Sequence, residues 1–182
     1  MLVVAIHVAP GSRIPVRAVE AVDAEAGKGL IGDRYHGTKH RHVTIQSQEL
    51  LDRAADDLGY RFDPGATRRN LTVDAGEIPT TPGARLVIGD VELEVVRVSA
   101  PCRLLDDFIG PGAAAALRRR AGSTCRLLTS GTIRVGDDVR LIPELAGQVR
   151  VTAGPPSQLA ARRARDRPRR HQADIGDRDS VS

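Results

Sequence analysis

RLVIGDVELEVVRV, residues 85–98, decides the architecture. Apolar residues occupy alternate positions on both sides of Gly89-Asp90. A period of two places such side chains on one face of a pleated strand, and Gly-Asp between two such runs is a two-residue hairpin turn. Working outward, further short β-branched runs stand at 2–8, 15–22, 42–46, 71–73 and 138–142, each bounded by Gly, Pro or Asp. Helical spacing is confined to two stretches. In SQELLDRAADDLG (47–59), Leu50, Leu51, Ala54, Ala55 and Leu58 share a face and Gly59 supplies a stop. In GPGAAAALRRRAG (110–122), Pro111 suits the first turn and Gly122 the end. Six or more closely spaced strands with two helices predict a mainly-β fold, a barrel or sandwich carrying helical decorations. Strands and helices do not alternate, which argues against a doubly wound parallel sheet.

Composition limits what the core can contain. Apolar residues make up 41% of 182 residues but aromatics only 2%, so Val, Leu, Ile and Ala must fill the interior. Of the net charge of +4, +3 falls after residue 143, where eight Arg face five acids. That segment, 144–182, is rich in Arg, Asp, Pro and Ser and cannot bury enough apolar surface to offset its ordering, so it reads as a disordered tail behind a domain at 1–143. Two cysteines make no disulfide framework, the start lacks a basic n-region, and no apolar run is long enough for a membrane span. The expectation is a cytoplasmic protein with reduced thiols and no membrane partner.

Three stretches carry side chains capable of chemistry. GKGLIGDRYHGTKHRH (27–42) combines four glycines with Asp33, Arg34, His36, His40 and His42. Bare backbone N–H groups beside Arg and Lys suit a phosphate, although neither standard nucleotide-loop motif is present; a solvated surface loop is the bland alternative. The histidines and a cysteine suggest zinc, but no ligand spacing supports it, and structural or substrate-contact roles come first. DPGATRRNLTV (63–73) brings Arg68, Arg69 and Asn70 to a strand entrance, where guanidinium and amide donors could read an anion or a ring edge, or simply face solvent. In RVSAPCRLLDD (97–107), Cys102 follows a Pro at a strand end; a thiolate there is a nucleophile or a soft metal ligand. Cys125, in STCRLLT, reads as a packing residue.

Taken in order, GLIGDRYHG, HVTIQSQEL, DPGATRRNLTV, RLVIGDVELEV, SAPCRLL and SGTIRVGDDVRL resemble the MOSC domain of molybdenum-cofactor sulfurases and mitochondrial amidoxime-reducing proteins, which also occurs alone in small bacterial proteins. The resemblance runs to about Ile142. It implies a MOSC-type β-barrel with a few helices and an exposed groove. It implies that Cys102 matches the cysteine that binds molybdenum in the reductase members. Gly32, Asp33, Arg34, Arg68, Arg69 and Asn70 then become candidate contacts for molybdopterin, and His36 or Asp33 a candidate acid for a leaving water. The implied activity is reduction of N-hydroxylated compounds, such as hydroxylamino purines or amidoximes, with electrons from a separate donor protein. Two alternatives stand beside it. One is a metal-free thiol enzyme using Cys102 in sulfur transfer or carbon–sulfur cleavage. The other is non-enzymatic, unspecific binding of nucleic acid or another polyanion by the Arg-rich tail. Pyridoxal phosphate, sometimes ascribed to the family, finds no marked Schiff-base lysine in Lys28 or Lys39.

Overall fold

In the computed structural model, residues 1–143 are described. The expected tail, 144–182, lies outside the described residues. Eleven strands fall in the order β1 Val3–Val8, β2 Arg17–Val19, β3 Ala21–Glu25, β4 Gly29–Leu30, β5 Val43–Ser47, β6 Leu71–Val73, β7 Arg85–Ile88, β8 Val91–Val98, β9 Ser123–Leu127, β10 Gly131–Arg134 and β11 Val139–Ile142. Helix α1, Gln48–Leu58, follows β5; α2, Leu104–Phe108, and α3, Ala113–Ala116, lie between β8 and β9.

The 85–98 hairpin forms as read. β7 and β8 pair antiparallel across Gly89, whose φ of 55° the two-residue turn requires. Leu86, Ile88, Val91, Leu93 and Val95 are buried, while Arg85 pairs with Glu92 on the opposite face. This hairpin belongs to an eight-stranded sheet ordered β11-β7-β8-β9-β5-β6-β1-β2. The sheet curls until its far strands meet. Leu2 bridges Asp138, Val3 N donates to Asp137 O at 3.0 Å, and Val139 N donates to Met1 O at 2.7 Å. β10, β3 and β4 form a second sheet, and its Val22, Ala24, Leu30 and Ile133 join the same core. The fold is mainly β, a half-barrel closed at one end by the chain start.

One pair is parallel, β5 with β6, joined by the crossover through α1. Every residue of β5 is buried: Val43 and Ile45 face the core, while Thr44 and Gln46 meet the 64–72 segment. Gln46 within it is satisfied: its amide nitrogen donates to Pro64 O and Thr72 Oγ1, and its carbonyl accepts from Thr67. α1 stops where expected, at Gly59 with φ 77°. Leu51 and Ala54 pack with Leu105, Ala113 and Leu117 into a second, smaller core that seats all three helices on the barrel.

The 110–122 stretch departs from expectation. Only Ala113–Ala116 is helical, and Pro111 lies outside it. Gly110 and Gly112 hold positive φ before it, and Arg119 and Gly122 hold positive φ after it, so four-residue α3 is cut at both ends. The 15–22 run splits into β2 and β3. Strands β4 and β10 and helix α2 had no local signature. Among the described residues, no helix is long and apolar enough to cross a membrane.

Candidate functional site

The glycine-rich loop is held by a buried amide–carboxylate brace. Asp33 Oδ2 accepts from Ala9 N at 3.0 Å and from Asn70 Nδ2 at 2.9 Å; Oδ1 accepts from Tyr35 N at 3.0 Å. Asn70 in turn donates to His7 O, and its Oδ1 accepts from both the backbone and the hydroxyl of Thr44. Four segments, around residues 7–9, 33–35, 44 and 70, are thereby locked. All the polar atoms of the Asn70 side chain are satisfied, as burial demands. Gly32, at φ 84°, turns the chain into this brace.

The brace sets Arg34 and Tyr35. Two guanidiniums pack against the Tyr35 ring, Arg34 at 4.5 Å and Arg41 at 3.8 Å from its centroid. Arg69, almost fully buried, donates Nη2 to Ser99 O at 3.1 Å and reaches Ala100 O at 3.5 Å. Arg68, at φ 60°, donates to Ile14 O at 2.8 Å and Gly11 O at 3.2 Å and stacks on Phe108 at 4.9 Å. The loop after β8, whose Ser99 and Ala100 carbonyls Arg69 reaches, presents Cys102, exposed, with its carbonyl accepting from Leu105 N at the start of α2.

Electrostatically this is a crowd of cations. Among the described residues, no carboxylate lies within ion-pair distance of Arg34, Arg41, Arg68 or Arg69, whereas Arg53, Arg61, Arg85, Arg120 and Arg126 each have one. Burial, and then the charge of Arg41, push Arg69 down to about 10, and Cys102 opposes that shift. Arg41 is lowered by burial and, further, by repulsion from Arg34 and Arg97. Arg34 Nη1, Arg41 Nε and Arg69 Nε are buried without a hydrogen-bond partner. Arg34, Arg41 and Arg69 thus each keep a buried donor that no described residue satisfies, a donor set chemically suited to an anion.

The other candidates lie elsewhere in role or place. His36 is exposed, its Nε2 3.0 Å from Glu25, which also pairs with Lys28. His42 bridges two segments: Nε2 meets Thr38 O, and Nδ1 accepts from Leu127 N at 2.9 Å, which fixes the neutral tautomer. Among the described residues, no group of three or more His, Cys, Asp or Glu could hold a metal ion, so a zinc site built from these histidines finds no support. Cys125 is fully buried, and burial pushes its thiol up to about 12, in keeping with a packing role. Sequence reasoning missed Tyr35, Arg41 and Arg97. Arg41 and Tyr35 stand inside the glycine-rich motif, but only folding stacks them.

A family model described as the MOSC domain matches residues 32–140, from the glycine-rich loop into β11. The chain belongs to the MOSC-domain family. As a MOSC protein it is similar to the YuaD protein of Bacillus subtilis, at 20% identity and a TM-score of 0.66, over 76% of this chain and 94% of that one. It is also similar to YiiM from Geobacillus stearothermophilus, at 19% and 0.65 over 80% and 77%. YiiM from Escherichia coli matches at 15% and 0.61 over 80% and 71%. At these identities the likeness establishes the fold. No curated protein sequence matches the chain.

Proposed function

We propose that the chain binds the molybdenum cofactor in the arginine basin and uses it to reduce N-hydroxylated small molecules. The observation that carries the reading is the set of buried, unpartnered donors on Arg34, Arg41 and Arg69 around exposed Cys102. Those donors fit the phosphate of the cofactor, the Arg34–Tyr35–Arg41 stack offers a flat surface for its fused ring, and the soft thiolate of Cys102 suits molybdenum. A lone thiol is sufficient as a protein ligand because a dithiolene would bring the remaining sulfur donors with it. When bound, the cofactor would supply two-electron, oxygen-removing chemistry.

The residues of the chain then have distinct tasks. Arg69 holds the Cys102 loop by two carbonyls, those of Ser99 and Ala100. Asp33 and Asn70 position Arg34 rather than touch the ligand, since Asp33 already accepts three internal hydrogen bonds. His36, bonded to Glu25 on the surface, is the remaining candidate for moving a proton at the leaving oxygen. Electrons come from a separate donor protein.

The test is the molybdenum and pterin content of protein purified from a host that makes the cofactor. Near-stoichiometric molybdenum, lost in Cys102→Ser and reduced in Arg41→Gln, is the expected result. Protein free of both would replace this reading with a metal-free Cys102 enzyme of sulfur chemistry, for which the exposed thiol on a loop held by Arg69 is the favouring observation.

A further inference from the structure

A cavity lies beside the Cys102 loop, and none of the arginines of the basin lines it. It encloses about 480 Å3 and is walled by apolar side chains, among them Leu50, Ile78, Val98 and Pro101. Two arginines, Arg118 and Arg119, also line it. Both are exposed, and among the described residues neither guanidinium has a hydrogen-bond or ion-pair partner, although the next residue, Arg120, pairs with Asp57. Arg119 also holds a left-handed backbone, φ 66°, where the same turn uses glycine at 122 with φ 70°. A side chain kept at a strained position on the edge of a cavity points to a use for that side chain.

We propose that this cavity binds a small amphipathic carboxylate, with the apolar or aromatic body against Leu50, Ile78 and Val98 and the carboxylate on Arg118 and Arg119. The wall decides the class: an apolar body gains from burial, and a bidentate guanidinium selects a carboxylate over a neutral polar group. Position suggests the use. Pro101 lines the cavity and Cys102 is the next residue, while the Ala100 carbonyl meets Arg69 of the basin. A ligand seated here lies against Pro101, the residue next to Cys102, and the cavity would take the non-reacting part of the substrate. That link to a reacting Cys102 rests on the function proposed above; the binding itself does not.

Full-length protein from a host lacking the cofactor pathway leaves the Cys102 thiol free and separates the two questions. It would be titrated calorimetrically with 2-naphthoate and with the neutral 2-naphthamide. Saturable naphthoate binding is expected, with the amide and the Arg118→Gln/Arg119→Gly variant each weaker by about ten-fold or more. Val98→Phe, at a position 43% exposed and so able to take a larger side chain, fills the cavity and abolishes binding. Bound naphthoate slows iodoacetamide alkylation of Cys102 in the wild type and leaves it unchanged in Val98→Phe. Equal binding of acid and amide, or no saturable binding, overturns the site. Binding that leaves the alkylation rate unchanged overturns its link to Cys102. Failure of the cofactor reading would show separately, in molybdenum content.

Discussion

Asp33 and Asn70 stand 37 positions apart and meet through one hydrogen bond buried with the Thr44 side chain. Asn70→Leu keeps the volume and strands Thr44 and Asp33, so chemical denaturation should show a loss of about 2–4 kcal/mol. Among the described residues, the three non-glycine residues with positive φ are all arginines: Arg13, Arg68 and Arg119. Arg119→Gly relieves the backbone with no buried bond lost and should stabilise by about 1 kcal/mol. Arg68→Gly forfeits two carbonyl contacts and the Phe108 stack, and should not stabilise. The two thiols make a further contrast. Native protein should take up one alkyl group, on Cys102, and denatured protein two, as read by mass spectrometry. At this scale the sequence marks which residues are unusual. It does not mark their roles, because a carboxylate that braces and one that catalyses look alike until their partners are known.

Elements were legible wherever the signal is local. The 85–98 hairpin and α1 each contain their own periodicity and their own glycine turn or stop. β10 does not, for its partner β3 lies more than a hundred positions away, and pairing rather than pattern makes it a strand. α3 was overread because alanines promise a helix that the flanking positive-φ residues forbid. Gly122 shows how tightly the elements meet. A Cβ there would stand 1.9 Å from Ile45 O on β5, and φ is 70°, so Gly122→Ala should lower stability by at least about 2 kcal/mol, measurable as a fall in melting temperature. His42 joins β5 to the end of β9 as a neutral ring, and both His42 and His7 are held below 6.5, chiefly by burial. Their folded forms resist protonation more than the unfolded chain does. The stability they contribute is therefore complete above pH 6.5 and is lost as pH falls through their lowered values. His42→Gln should flatten the acid limb of a melting-temperature profile.

For the whole molecule, the mainly-β class followed from strand count and spacing, and barrel closure did not, since it depends on Met1–Val3 meeting 136–139. The candidate site was half visible. The motifs named the loops, but the convergence of Arg34, Arg41 and Arg69 comes only from curling the sheet. Charge divides the chain as well, because three of its four net positive charges follow residue 143. A chain ending at 143 should keep the melting temperature and the anion site of the full protein and lose most retention on heparin. Retention that survives the deletion would move polyanion binding onto the domain.

The stacked tyrosine has a practical consequence. The chain contains no tryptophan and two tyrosines, and one of these, Tyr35, packs against two cations in the basin itself. Ultraviolet emission from this protein is thus half owned by the place where an anion would arrive. The molecule carries its own optical gauge: ligand entry that draws Arg34 or Arg41 off the ring should change its brightness without any attached dye.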